Sequence, residues 1–456
     1  MEYSPKYILI LFFVILVDYV AGLLIAESQG RKRKFYLVTS LIANVAILAV
    51  FKYYNFFMEN VEALATAIHW NYSPQLLQMA LPIGLSFHTF QSMSYTIEVY
   101  RGHQKPEKHL GIYALYVLFF PQLVAGPIER PQNVLHQFWQ KHSFDYQRVT
   151  NGLKLMLWGF FMKVVIADRL APVVNVYYDA PQNVPGPALA LATICFALQI
   201  YCDFAGYSNI ALGSAEVMGF KLMTNFNRPY SSRSIGEFWR RWHISLSTWF
   251  KDYVYVPMGG SRTSRPRHYF NLLFTFLLSG FWHGANWTFI VWGGLNGLYL
   301  IFGEWTKPFR KRIMDALHIK DGPLLAAWQK LCTFALISFA WIFFRATTMS
   351  EAFTVIRGLG HGWGELGKSL FQNRAADFLT VSGFDKMGWD LEEWFITAVA
   401  LLILKAVHDV GKKRNFWDMV SARPVWVRWA TYYALLYIVV VHGKYMLQEQ
   451  FIYFRF

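Results

Sequence analysis

From Tyr7 to Ala26 the chain runs for twenty residues with a single charged side chain, Asp18. As a helix rising 1.5 Å per residue, such a run is about 30 Å long, the thickness of a bilayer's hydrocarbon core. In lipid every backbone N–H and C=O must find its partner within the chain, so the run can only be helical. Glu27 and the basic run Arg31-Lys32-Arg33-Lys34 follow it. An export signal carries its charges before the apolar core, so this segment reads as an uncleaved span.

Similar apolar runs recur near 35–57, 77–98, 149–178, 188–218, 285–303, 324–346, 394–410 and 425–447. Two shorter ones, 110–127 and 269–281, are bounded by Gly and Pro and suit re-entrant or broken helices. The expectation is an all-α polytopic membrane protein of about ten or eleven segments, one domain over 1–456 with its motif core at 51–303. Composition agrees: 55% hydrophobic against 16% charged residues exceeds what a soluble core of 456 residues could hide. Disordered, collagen-like and disulfide-scaffold classes fall by the same numbers.

The net charge of +15 would suggest nucleic acid in a soluble protein. Here no nucleic-acid motif accompanies it, and the positive-inside rule explains it instead. Four basic residues occupy 28–34 against Lys6 alone before the first span. The N-terminus is therefore expected outside. Nine Lys and Arg between 221 and 268, and the runs Lys307 to Arg312 and Lys412 to Arg414, then fall inside. Cys195, Cys202 and Cys332 lie in apolar stretches with no CxxC pair and read as small hydrophobes.

Residues 237–253, EFWRRWHISLSTWFKDY, place Trp239, Trp242, Leu246, Trp249, Phe250 and Tyr253 on one stripe at 100° per residue. Arg240, Arg241, Lys251 and Asp252 take the other face. That pattern predicts an amphipathic helix lying in the membrane interface, with His243 at the edge of its apolar stripe beside Trp239 and Phe250. A lone His on an apolar face is ordinarily a packed, hydrogen-bonded residue. The arginines are ordinarily anchors, though their density could attract a phosphorylated donor or an acidic carrier protein.

His283 is more telling. It lies in LLSGFWHGANWTFIVWGG between Gly280 and Gly284, with about a dozen apolar positions on either side. A titratable residue at membrane depth is expensive and points to function. The flanking glycines suggest a helix break lining a cavity. In a dry site an imidazole stays neutral and can act as a base near pH 7. The plainer reading is a histidine bonded to a neighbouring helix. Asp203, in QIYCDFAGYSNIALG, could orient an imidazole or satisfy helix–helix hydrogen bonds, and Asp18, Ser208, Asn209 and His88 are further polar residues in apolar surroundings. GWGELG at 362–367 matches GxGxxG but is expected in an external loop without strand-and-helix context. HExxH, Walker A and GxSxG signatures do not occur.

These residues resemble the membrane-bound O-acyltransferase family, most of all its bacterial branch that serves alginate O-acetylation and, more distantly, teichoic acid D-alanylation. The matching segments are FKYYNFF at 51–57, LPIGLSFHTFQSMSY at 81–95, FFPQLVAGPIERP at 119–131, YCDFAGYSNIALG at 201–213, NFNRPYSSRSIGEFWRRWHISLSTWFKDYVYVPMGG at 225–260 and GFWHGANWTFIVWG at 280–293. Residues 304–424 match weakly. The resemblance implies a ring of tilted and re-entrant helices around a central funnel. It implies His283 as the catalytic base, with His243 in a supporting role. The acyl group would arrive from the cytoplasm as a thioester, acetyl-CoA or an acyl carrier, and leave for an acceptor outside.

Acyl transfer needs a base for the acceptor hydroxyl, donors for the oxyanion and a site that excludes water. His283 is expected to be the base. His243, Asn286 or the Trp287 N–H could orient or stabilise, Asp203 could support them, and Arg240, Arg241 and Trp242 could contact the donor. No bound cofactor and no metal are expected, since thioester chemistry requires no Lewis acid and the 13 histidines show no ligand spacing. The expected location is the bacterial inner membrane. The expected partners are membrane lipid, an extracytoplasmic acetyltransferase and a polysaccharide acceptor, which FIYFRF at 451–456 could help to contact if its aromatics are not interfacial anchors. Three other readings stay open: D-alanyl transfer to teichoic acid, a transporter, and a non-catalytic scaffold.

Overall fold

The computed structural model describes residues 6–77, 84–123, 126–371, 380–412, 416–445 and 451–452. Residues 81–83 and 124–125 of the quoted segments, Lys413, Arg414, 446–447 and 453–456 lie outside the described residues. All regular structure among the described residues is helical. The chain divides into two compact units, 1–152 with 211–224, and 153–210 with 225–456.

The first unit is built on α1 (Lys6–Glu27), α2 (Gly30–Leu48), α3 (Tyr54–Ala67), α4 (Leu85–Arg101) and α5 (Leu110–Leu118). A π-turn at Ala49–Tyr53 joins α2 to α3, so helix continues from Gly30 to Ala67. Asp18 of α1 is fully buried and satisfied by α2: the Ser40 hydroxyl donates at 2.6 Å and the Asn44 amide at 2.9 Å. The one charged residue of the first span is thus a helix–helix fastening, as buried polar groups in lipid must be. His88 is likewise used structurally, with Nδ1 3.0 Å from the Val117 carbonyl.

The second unit holds α6 (Tyr146–Phe160, from 153 onward), α7 (Asp168–Tyr178), α8 (Gly186–Met218, up to 210) and a short pair, α9 (Ile235–Trp239) and α10 (Ile244–Phe250). Then come α11 (Arg265–His283), α12 (Trp287–Trp305), α13 (Pro323–Arg345), α14 (Leu391–Val410), α15 (Phe416–Ser421) and α16 (Val425–His442). A π-segment, Phe161–Ala167, joins α6 to α7, and the Lys444 N–H donates to the Val164 carbonyl inside it. Among the described residues, five helical stretches are long and apolar enough to cross a bilayer: Ile8–Glu27, Gly30–Ala67, Gly186–Met218, Pro323–Arg345 and Val425–His442.

Several expectations need correction. The piece 269–281 is no short re-entrant helix. Pro266 starts α11 as an N-terminal proline does, and the helix runs 19 residues, through Gly280, to His283. The break falls after His283, where Gly284 is extended and Asn286 caps α12 by accepting from the Thr288 N–H. The amphipathic helix 237–253 is not continuous either. It parts between Trp239 and Ile244, and the side chains of its stripe at Trp242, Leu246, Trp249 and Phe250 are buried in protein rather than presented to an interface. GWGELG is not a loop, since Trp363–Phe371 is helical. Phe451 and Ile452 are buried, at 2% and 4% exposure, so these two are not exposed terminal aromatics or anchors.

Candidate active site

Two glycines set the position of His283. A methyl group on Gly280 would lie 2.2 Å from the Phe289 carbonyl oxygen, and one on Gly293 would lie 2.3 Å from that of Phe276. Only glycine lets the backbones of α11 and α12 approach so closely. The crossing carries the last residue of α11 against the second turn of α12. The His283 ring meets Trp292 edge-on with centroids 5.0 Å apart, Trp282 at 5.0 Å and Phe344 of α13 at 5.4 Å. His283 is 6% exposed. The imidazole is thus enclosed on several sides by aromatic carbon.

Ring contacts run on from there. Trp292 stacks on Trp341 at 5.6 Å, Trp341 meets Trp242 at 5.1 Å, Trp242 meets Phe226 at 5.2 Å, and Phe226 lies 6.5 Å from His243. The two histidines are thus the ends of one aromatic wall. The Trp341 indole N–H donates to the Tyr230 hydroxyl, which donates to the Ala197 carbonyl, so the wall is pinned by polar contacts as well as packing.

His243 has a different setting. Its φ is +42°, in the left-handed region that a non-glycine residue adopts at a cost. Two backbone bonds hold it there: the Ile244 N–H donates to the Asn225 carbonyl and the Asn227 N–H to the Arg241 carbonyl, each at 2.9 Å. This pairing of 225–227 with 241–244 breaks the expected helix, because it takes backbone groups that a helix would use. The Asn225 side chain then faces the imidazole. Its Oδ1 is 3.3 Å from the Ser245 N–H, 2.9 Å from the Ser245 hydroxyl and 3.1 Å from His243 Nδ1, and its Nδ2 donates to Ser208 Oγ at 3.2 Å. A backbone N–H can only donate, so the atom facing it is the amide oxygen. That oxygen has only lone pairs to offer His243, so Nδ1 carries the proton and the in-plane lone pair of the neutral ring is on Nε2. His243 lies in the connection between α8 and α11, outside the spanning helices, and burial pushes its imidazole down to about 3.

Asp203 is buried with Lys163, whose Nζ lies 2.7 Å from it and 2.6 Å from Asp168. The Ile452 N–H also donates to Asp203, at 2.8 Å. Its neighbour Phe204 packs edge-on against His243 at 4.6 Å. Arg240 is exposed, Arg241 pairs with Glu237 at 2.6 Å, and Trp242 is a buried member of the aromatic wall. Asn286 is committed at both ends, capping α12 and donating to the Thr347 carbonyl at 2.7 Å, and Trp287 is half exposed. Sequence reasoning did not single out Asn225, Lys163, Trp292 or Phe344. Lys163 carried a signal, a lysine within the apolar run FFMKVVIA. The two rings carried none, since aromatics occur throughout.

The helices define a multi-pass membrane protein with an imidazole buried among aromatic rings. The comparisons make the class specific. Residues 109–344 match the membrane-bound O-acyltransferase family. The chain is 38% identical over 344 residues to the probable alginate O-acetylase AlgI of Azotobacter vinelandii, covering 74% of this chain and 66% of that one. It is 35% identical over 385 residues to the peptidoglycan O-acetyltransferase of Helicobacter pylori, covering 78% and 71%. Against the teichoic acid D-alanyltransferase of Streptococcus thermophilus it is 30% identical over 266 residues, covering 53% and 60%. The chain belongs to the membrane-bound O-acyltransferase family. It spans about two thirds of the length of the Azotobacter relative.

Proposed function

We propose that this protein is a membrane O-acyltransferase that moves an acyl group, acetyl, from a cytoplasmic thioester to a hydroxyl of an extracytoplasmic acceptor in the O-acetylation of an exopolysaccharide or cell-wall polymer. The observation that carries the reading is the enclosed imidazole of His283 at the α11–α12 crossing. In the step, His283 takes the proton of the acceptor hydroxyl as its oxygen attacks the thioester carbonyl. The tetrahedral oxyanion collapses, the C–S bond breaks, and the leaving thiolate takes the proton back from the imidazolium. The surrounding rings keep water, the competing nucleophile, out. His243, held with its lone pair on Nε2, acts in support. Trp242 is part of the wall between them, and Asp203 acts by holding the packing around Phe204.

Acetyl rather than D-alanyl is favoured because the match to relatives named for O-acetylation extends over 74% and 78% of the chain, against 53% for the D-alanyltransferase. Acyl thioesters are cytoplasmic and surface polymers lie outside, so a site in the membrane lets the acyl group cross without its carrier. The proposed setting is the bacterial inner membrane with the N-terminus outside, beside an extracytoplasmic acetyltransferase that completes transfer to the polymer. The test is incubation of membranes containing the protein with labelled acetyl-CoA and, separately, with a carrier charged with D-alanine. Label passing from acetyl-CoA to the polymer fraction supports the reading, and label from the D-alanyl carrier alone supports the second. Uptake of polymer into vesicles without covalent label would mark a transporter, and full transfer by His283→Ala a scaffold.

A further inference from the structure

A cavity of about 420 Å³ lies in the second unit, and neither His283 nor His243 lines it. Its volume is in the range of small-molecule sites. Trp158 and Met162 from the α6 side and Trp417 of α15 give it apolar walls, and Arg228 and His408 give it a polar end.

Arg228 is half-buried, and its backbone is fixed at this place. Its φ is +48°, a strained conformation for a long side chain, and the Ser231 N–H donates to its carbonyl. Nε donates to the Asn227 side chain at 3.2 Å, while Nη1 is shielded from solvent with no hydrogen-bond partner among the described residues. No ion pair to a carboxylate forms there among the described residues. The acidic neighbour of His408, Asp409, is already engaged by Lys405 and Lys412. His408 Nε2 and the Tyr201 hydroxyl pair at 3.2 Å, adding a second polar contact at the same end. The guanidinium is partly exposed, but its shielded Nη1 has no counter-charge among the described residues, which an anion in the cavity would supply. The loop that carries Arg228 and the loop after α14 are the ones whose lysines and arginines mark the cytoplasmic side by the positive-inside rule.

We propose that the cavity is a binding site for an anionic phospholipid of the cytoplasmic leaflet. Its phosphate lies against Arg228 and the His408–Tyr201 pair, and its apolar part lies along Trp158, Met162 and Trp417. Phosphate alone would leave the indole walls unmatched, and a neutral amphiphile would leave the guanidinium without its anion.

The test is native mass spectrometry of the purified full chain in neutral detergent, titrated with dioleoylphosphatidylglycerol, dioleoylphosphatidylcholine or inorganic phosphate. The expected result is binding of the glycerol lipid about tenfold tighter than the choline lipid, lost by about the same factor in Arg228→Gln. Equal affinity of wild type and Arg228→Gln for phosphatidylglycerol overturns the proposal, as does displacement of that lipid by equimolar inorganic phosphate. Should Arg228→Gln fail to fold, Trp417→Ala keeps the charge and removes an apolar wall. A loss of about fivefold or more in lipid affinity then supports the site, and an unchanged affinity overturns it.

Discussion

Nδ1 of His243 lies 3.1 Å from the side-chain oxygen of Asn225, and the same oxygen is held by the Ser245 N–H and hydroxyl. The amide therefore fixes which nitrogen of the imidazole carries the proton. Asn225→Ala removes the fixing atom. A buried hydrogen bond of this kind is worth about 1–3 kcal/mol, so kcat is expected to fall roughly 5- to 150-fold with KM little changed. Asn225→Asp keeps the acceptor and adds a charge that favours the imidazolium, so it should move the acid limb of the pH–rate profile upward. Steady-state acyl transfer across pH checks both.

The pH dependence of folding has a definite sign. Burial holds the folded pKa of His243 down at about 3, below the roughly 6.5 of an exposed imidazole. Between those values the unfolded chain binds the proton and the folded chain does not. The residue thus costs nothing above about pH 6.5, and stability is lost progressively as pH falls toward 3. Thermal unfolding in detergent from pH 7.5 to 5 should show a decline that is shallower in His243→Gln.

The α11–α12 crossing predicts a contrast between two glycines. Gly280→Ala drives a methyl to 2.2 Å from the Phe289 carbonyl and should destabilise by about 1–3 kcal/mol, moving His283 away from Trp292. Gly303 lies near the far end of the other helix, α12, with open space around it, so Gly303→Ala should be neutral or stabilising by about 0.5–1 kcal/mol. Melting temperatures of the two purified variants decide it.

The spans were legible because lipid forces helices, and apolar length is written plainly in residues such as 7–26. His283 stands out as a candidate in the sequence because a titratable residue in an apolar run is rare. The helix 237–253 was misread because periodicity reports only local preference. The pairing of Asn227 with Arg241 and of Asn225 with Ile244 reaches across 14 and 19 residues, which no local window sees. The same blindness hid Asn225 as the partner of His243. The length of α11 was underestimated because Gly280 reads as a breaker, whereas here it is a close-approach residue inside a continuous helix.

Lys163, between Asp168 and Asp203, predicts an asymmetry. Lys163→Met leaves two buried carboxylates without their cation and should cost about 3–5 kcal/mol. Asp203→Asn keeps a polar side chain of the same shape beside Lys163 and the Ile452 N–H, and Asp168 still balances the lysine, so the loss should be smaller. The yield of monodisperse protein after heating ranks the two.

The role of His283 as the base is measured by acetyl transfer in His283→Ala, compared with wild type at matched amounts of folded protein in membranes supplied with labelled acetyl-CoA. Loss of the general base predicts a fall of about 10²- to 10⁴-fold in transfer, with expression and melting temperature close to wild type. Transfer at the wild-type rate by the folded variant would contradict it.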